Sequence, residues 1–203
     1  MLRPASFAFL VFSASLIAEA GAPVRSMLEI RQQNVVIQQW DLSCGAAALA
    51  TLLTYQHSQP VSEKTVAEGL LRGTNPLLVK YRGGFSLLDL KRYADSRSLK
   101  SAAYSDVEPD DLEEFKPAIV PVNLSGYPHF VIYRGRAGGQ VLLSDPAFGN
   151  RVLTAERFYK AWQGGIAFVV QARDGSPSTN NALLGQKSDL LFVHPSVVRN
   201  VSH

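Results

Sequence analysis

Residues 38–53 read QQWDLSCGAAALATLL, a short polar turn that runs directly into a long apolar segment. The segment from Cys44 onward predicts a helix over 44–56 that is apolar on nearly every face, so we expect this helix to be buried at the centre of the fold. Cys44 is the only cysteine among the 203 residues, and it lies at the start of that helix. A helix N-terminus carries a partial positive charge, which favours the thiolate, the nucleophilic form of cysteine.

Three polar residues elsewhere in the chain form an ordered set with Cys44 that is typical of a cysteine nucleophile. Gln38 precedes the thiol, His129 opens a predicted strand, and Asp145 follows the next predicted strand of the same meander. Facing side chains on neighbouring antiparallel strands lie about 5 Å apart, within reach of a His–Asp hydrogen bond. The alternative is that Cys44 is a small buried apolar residue, as a lone cysteine often is. The ordered set favours the catalytic interpretation.

The chemistry of this set is cleavage of a peptide bond by a thiol. Cys44 would attack the carbonyl as a thiolate, and His129 would take or share the thiol proton and then protonate the leaving amine. Asp145 would hold the imidazole ring in orientation. The Gln38 amide and the Cys44 backbone N–H would donate to the oxyanion, and one such donor lowers the barrier by about 3 kcal/mol. We expect no cofactor, and no spaced set of His, Cys and carboxylate ligands indicates a metal site.

These motifs resemble a known family. The stretch 38–53, together with YPHFV at 127–131 and the pair Asp145-Pro146, is similar to the C39 family of papain-like cysteine peptidases. The stretches GFSLLDLK at 84–91 and DPAFGN at 145–150 resemble in particular the stand-alone exported members, which are encoded with bacterial functional-amyloid secretion systems. The resemblance implies a papain-like fold and thiol proteolysis at the residues named above.

The similarity covers about residues 35–170, most of the chain after its first segment. Better-known members of the family lie at the front of peptide-exporting transporters and cut leader peptides after a Gly-Gly pair. This chain differs from them at Ser43, where they usually carry Asp before the cysteine. We therefore do not carry their leader specificity over to this chain.

Helical patterns precede strand patterns along the chain, which predicts an α+β fold. In this fold N-terminal helices, among them the buried helix that carries Cys44, pack on a C-terminal antiparallel sheet. The predicted elements are a short strand over 35–37 that would deliver Gln38, helices over 44–56, 63–71 and 86–96, a strand over 99–104, an acidic short helix over 106–114, strands over 118–124, 129–134 and 140–144, a helix over 154–162 and a strand over 166–171.

The N-terminus has the pattern of a secretory signal. Arg3 provides the positive charge, 5–17 is apolar, and Ala-Glu-Ala at 18–20 fits the cleavage rule. This predicts a signal peptide over 1–20, which would place the protein in the periplasm. The alternative is an uncleaved anchor, but the apolar run is short for a membrane span. We expect no membrane span after cleavage.

The rest of the chain is expected to form one peptidase domain over 21–173, followed by a flexible tail over 174–203 that begins where Gly, Ser, Pro and Asn become frequent. The hydrophobic fraction of 46% is enough for a core, and the net charge is only +3. Basic and acidic residues are interspersed, so the sequence shows no footprint for nucleic acid.

The function that these observations favour is a periplasmic cysteine endopeptidase that acts on an exported polypeptide. The resemblance implies that this partner is an amyloid subunit or a component of its secretion machinery. One alternative is a non-catalytic module that holds peptides in the same groove. Another is acyl transfer, since the same side chains serve transglutaminase-like chemistry.

Overall fold

The computed structural model describes residues 26–174 and 181–184. The predicted signal peptide at 1–20 lies outside these residues. The first half of the described chain is helical. Its helices are α1 (Met27–Arg31), α2 (Cys44–Tyr55), α3 (Glu63–Gly73), α4 (Pro76–Arg82) and α5 (Leu87–Ser96).

A six-stranded sheet forms the second half. Its strands are β1 (Leu99–Tyr104), β2 (Ala118–Leu124), β3 (Tyr127–Ala137), β4 (Gln140–Asp145), β5 (Gly149–Thr154) and β6 (Ala167–Ala172). Their spatial order is β1-β6-β2-β3-β4-β5, and every neighbouring pair is antiparallel. A short 3-10 helix (Asp111–Phe115) precedes β2, and α6 (Ala155–Ala161) precedes β6. Helices followed by an antiparallel sheet are the α+β arrangement that the sequence predicts, and this prediction is confirmed.

Helix α2 lies at the centre of the helical layer. Every residue from 46 to 53 is fully buried, and the helix packs against α3, α5 and β3. Its alanines permit this because small side chains let neighbouring elements approach closely. The opposite face of the sheet packs against α6 and the 3-10 helix through Phe158 and Leu112. No helix within 26–174 and 181–184 is long and apolar enough to cross a membrane.

The predicted strand at 35–37 is wrong. Residues 35–37 belong to no helix or strand. Instead the Val36 N–H donates to the Thr51 hydroxyl of α2 at 3.0 Å, and the Gln38 N–H donates to the Pro146 carbonyl at 2.8 Å. Because its backbone groups are satisfied by a helix side chain and by a turn, the segment needs no ladder.

Strand β5 is an element that the sequence prediction lacks. It forms a hairpin with β4 in which Gly149 faces Asp145 and Arg151 faces Leu143. Gly149 adopts φ 81, and a Cβ there would lie 2.5 Å from the Arg31 carbonyl oxygen. A glycine therefore lets the end of α1 pack directly against this strand.

The described residues of the C-terminal region pack on the domain, which differs from the expectation of a tail that is flexible from 174 onward. Leu183 is fully buried. Its carbonyl oxygen accepts from Nε of the buried Arg134 at 2.6 Å, and the Ala182 N–H donates to the Tyr55 carbonyl at 3.2 Å. Residues 181–184 thus connect the end of α2 to β3. The other residues beyond 174 lie outside the described ranges.

Candidate active site

Asp145 ends β4 and forms the centre of the site. Its side chain has no exposed surface, and its Oδ2 lies 3.1 Å from Nε2 of His129, whose side chain is also buried. The pairing follows from the antiparallel register of β3 and β4. Tyr133 faces Leu143, so the register places Asp145 opposite Val131. His129, two residues before Val131, therefore lies on the same face of the sheet as Asp145. The structure thus brings together two of the four residues predicted for the site.

Both nitrogens of the His129 ring have acceptors as partners. Nε2 contacts the Asp145 carboxylate, and Nδ1 lies 3.1 Å from the carbonyl oxygen of Tyr127. The Tyr127 ring also packs against the imidazole, with 4.8 Å between the ring centroids. Neither oxygen can donate, so both hydrogen bonds form at once only when the ring carries two protons. The contacts therefore suit an imidazolium, the form that pairs with a thiolate.

Cys44 is the first residue of α2 and is only 8% exposed. Burial raises the pKa of the Cys44 thiol; the backbone N–H groups of Phe130 and Gly45 lower it, and the negative charge of Asp145 raises it. Phe130 follows His129 along β3, so the thiol lies against the segment of strand that carries the imidazole. No hydrogen bond joins the thiol to the His129 ring among the described residues, since Nδ1 is occupied by the Tyr127 carbonyl.

Gln38 reaches the site through its backbone. Its N–H donates to Pro146, the residue after Asp145. Its side-chain Nε2 donates to the Trp40 carbonyl at 3.1 Å, and Oε1 is buried without a hydrogen-bond partner. A primary amide has two N–H donors, so one remains after the Trp40 contact. Trp40 itself is 49% exposed and therefore is not a core residue.

Two functional residues were missed from the sequence, and the first is Glu63 at the start of α3. Glu63 is only 3% exposed. Both of its oxygens accept from the Gln39 N–H at 2.9 Å, and one accepts from the Ser43 hydroxyl. Glu63 thereby holds the turn between Gln38 and Cys44. No local pattern marks this role, because Glu63 also fits the first turn of an ordinary helix.

Arg151 on β5 is the second missed residue. Its Nη1 donates to Oδ2 of Asp145 at 3.0 Å, the same oxygen that faces His129. A sequence signal for it existed: positions 145 and 151 flank a tight turn at an even spacing, which places both side chains on one face of a hairpin. The signal depends on recognising β5.

The surroundings of Asp145 favour its charged form. Burial by itself would raise the pKa of the carboxyl, but the hydrogen bond and charge of His129, the Ala147 N–H and the Arg151 guanidinium outweigh burial. The pKa of Asp145 is held below its ordinary value as a result. A buried carboxylate with this many donors is suited to orienting an imidazole.

The other histidine of the described domain lies elsewhere. His57 follows α2 at the end opposite Cys44, and its Nε2 lies 3.1 Å from the Val170 carbonyl oxygen. Within residues 26–174 and 181–184 no group of three or more His, Cys, Asp or Glu side chains is placed to hold a metal ion.

The family of the chain follows from comparison with known proteins. The model of the Peptidase C39 family matches residues 32–174. This chain belongs to the peptidase C39 family. The resemblance inferred from residues 38–53 and from the His129 and Asp145 motifs is thereby confirmed.

Curated relatives in two Pseudomonas species carry the name "Probable functional amyloid protease FapD". The chain is 40% identical over 148 residues to the protein of Pseudomonas aeruginosa, which is 72% of this chain and 64% of that relative. The protein of Pseudomonas fluorescens matches with the same identity and coverage. The chain therefore spans a little under two thirds of the length of these relatives.

Solved structures share the fold. A double glycine motif protease from an AMS/PCAT transporter, crystallised in complex with the leader peptide, matches with a TM-score of 0.56 and 28% identity, over 67% of this chain and 89% of that one. The peptidase domain of Streptococcus ComA matches with a TM-score of 0.56 and 21% identity, over 68% of this chain and 97% of that one. The second similarity concerns the fold alone.

Proposed function

We propose that this chain is a cysteine endopeptidase that hydrolyses peptide bonds with Cys44, His129 and Asp145. The observation that carries the proposal is the buried His129–Asp145 hydrogen bond of 3.1 Å beside the cysteine that starts α2. A buried His–carboxylate pair of this kind is the arrangement that orients a general base toward a nucleophile.

The proposed reaction begins with the Cys44 thiolate and the His129 imidazolium. The sulfur attacks the carbonyl carbon, and the remaining Gln38 amide hydrogen and the Cys44 N–H donate to the oxyanion. The C–N bond then breaks as His129 gives a proton to the leaving amine. The proton for this step is the one on Nδ1, because Asp145 holds the one on Nε2. A water molecule, deprotonated by His129, hydrolyses the thioester and releases the acid.

The substrate class that we propose is an exported polypeptide of a functional-amyloid system. Support comes from the name of the two Pseudomonas relatives, which describes a functional amyloid protease. The signal-like segment at 1–20 supports a periplasmic location, where such a polypeptide passes.

Acyl transfer in place of hydrolysis would show as a product joined to an added amine.

A binding module without turnover is the second candidate. It is favoured by the occupied Nδ1 of His129 and by the burial of Cys44, which raises the pKa of its thiol. Such a module would hold a peptide at the same site without cleaving it.

One experiment separates the two candidates. The purified mature chain and its Cys44→Ala variant are incubated with an unfolded amyloid subunit from the same secretion system, and the products are read by mass spectrometry. We expect new termini with the wild type and none with the variant, which should still bind. Binding by both proteins with no cleavage by either would overturn the proposed hydrolysis.

A further inference from the structure

Asp145 lies between the His129 ring and the Arg151 guanidinium, on three adjacent strands. His129 on β3 contacts its Oδ2 from one side at 3.1 Å, and Arg151 on β5 contacts the same oxygen from the other side at 3.0 Å. The second oxygen, Oδ1, accepts from the Ala147 N–H at 2.9 Å. Both oxygens of the Asp145 carboxylate are therefore held by hydrogen bonds.

The hairpin geometry explains why Arg151 reaches the carboxylate. Asp145 faces Gly149 across the β4–β5 pair, and Arg151 lies two residues further along β5 on the same face. Such diagonal neighbours are within reach of a long side chain. The guanidinium is also covered by the Phe148 ring, whose centroid lies 5.2 Å from it.

We infer that Arg151 is a positioning residue of the site, whose guanidinium keeps the Asp145 carboxylate charged and turned toward His129. The inference rests on the proposed function only in taking His129 and Cys44 as the reacting groups. Arg151 touches neither of them and acts through Asp145.

The charge of Arg151 has a further consequence for the site. The Asp145 carboxylate disfavours a thiolate at Cys44, and its charge is among the causes that raise the pKa of this thiol. A guanidinium on the far side of the carboxylate offsets that charge. With Arg151 in place, the set of thiolate, imidazolium, carboxylate and guanidinium is neutral as a whole.

Other charged side chains lie on the elements around this set. The buried Arg134 of β3 donates to the Leu183 carbonyl and to Oδ1 of Asn150. Glu63 has its oxygens taken up by the Gln39 N–H and the Ser43 hydroxyl. Arg31 of α1 passes Gly149, but it is an exposed residue. Arg151 contacts the buried carboxylate directly, at 3.0 Å, and its side chain is only 24% exposed.

The test is the pH dependence of the rate at which iodoacetamide alkylates Cys44, which needs no substrate. The profile has a lower limb, where the thiolate forms beside the imidazolium, and an upper limb, where His129 loses its proton. Removing a nearby positive charge makes every group hold its proton more tightly. In Arg151→Gln, which keeps a donor for Asp145, both limbs should move to higher pH by about half a unit to one unit.

Two further variants distinguish the effect of the positive charge of Arg151 from that of its side-chain geometry. Arg151→Lys retains the charge without the planar fork, so its limbs should coincide with those of the wild type while peptide turnover falls several-fold. Arg92→Gln, at an exposed position of α5, should leave both profile and turnover unchanged. Limbs that stay in place in a folded Arg151→Gln would overturn the inference. If Arg151→Gln does not fold, limbs that move in Arg151→Lys would overturn it instead.

The outcome is separable from that of the proposed function. A wild-type chain that cleaves no peptide would defeat the hydrolysis proposal, while the alkylation profiles would still report whether Arg151 sets the charge at the site.

Discussion

The backbone N–H of Gln38 donates to the carbonyl oxygen of Pro146 at 2.8 Å. This bond ties the turn that leads to Cys44 to the turn that follows Asp145, although the two lie about a hundred residues apart in the sequence. It joins the residue of the proposed oxyanion donor to Pro146, the neighbour of the aspartate that contacts the imidazole. The site is therefore assembled by contacts between the helical half and the sheet half of the fold.

The role of His129 can be tested at the thiol itself. In His129→Ala, alkylation of Cys44 by iodoacetamide near neutral pH should slow by about tenfold or more, because the thiolate loses its cationic partner. His57→Ala is the matched control, since His57 lies beyond the other end of α2 against Val170. Equal rates in the wild type and in His129→Ala would mean that His129 serves only the packing of β3.

Glu63 should control the turn that carries Gln38. Glu63→Gln keeps the shape of the side chain but removes the negative charge of the carboxylate, whose oxygens accept from the Gln39 N–H and the Ser43 hydroxyl. We expect a loss of about 1–3 kcal/mol in the free energy of unfolding and a fall in kcat larger than the change in KM. Urea unfolding and peptide kinetics measure the two effects.

The control for this prediction lies on the same helix. Glu68→Gln removes a carboxylate with 58% exposure that pairs with Lys64 only at 3.9 Å, so its effect on stability should be within about 0.5 kcal/mol. Identical stability and kinetics in the two variants would show that the turn is held without Glu63.

How much of this site the sequence could predict depends on how local the signals are. The apolar run after Cys44 predicts α2, and strand order alone predicts that His129 and Asp145 meet, because both features follow from local patterns. Glu63 was out of reach because its role arises from contacts across elements. The even spacing of Asp145 and Arg151 is a signal only once β5 is recognised, and β5 carries only two consecutive apolar residues, Val152 and Leu153.

The prediction of a strand at 35–37 failed for a related reason. Its β-branched residues fit a strand, yet a helix side chain and a turn satisfy its backbone instead. The proposed catalytic roles of the four predicted residues remain predictions.

Asp145 should make stability depend on pH in the acid range. Its pKa is lowered in the folded protein from an ordinary value of 3.8. At pH values above the pKa of this carboxyl in the unfolded chain, the lowered pKa stabilises the folded state by its full amount. This contribution is lost as the pH falls through the lower pKa of the folded protein. The stability advantage of the wild type over Asp145→Asn should therefore shrink as the pH falls below about pH 4.

Thermal unfolding of both proteins between about pH 2 and 7 measures this difference, and the other acidic groups cancel in the comparison. Asp110→Asn, whose side chain is 86% exposed, serves as the control and should follow the wild type at every pH. A difference between wild type and Asp145→Asn that does not change with pH would refute the assignment of the lowered pKa.

Two adjacent leucines test whether residues 181–184 belong to the domain. Leu183 is fully buried, whereas Leu184 is 40% exposed. Leu183→Ala should cost about 2–5 kcal/mol, because it removes a buried side chain and leaves a cavity, and Leu184→Ala should cost less than about 0.5 kcal/mol. Truncation after Ser176 would remove Leu183 together with the carbonyl that Arg134 Nε binds, so we expect it to destabilise the fold. Thermal unfolding that is equally cooperative and equally stable in the truncated and full chains would show that the segment is dispensable.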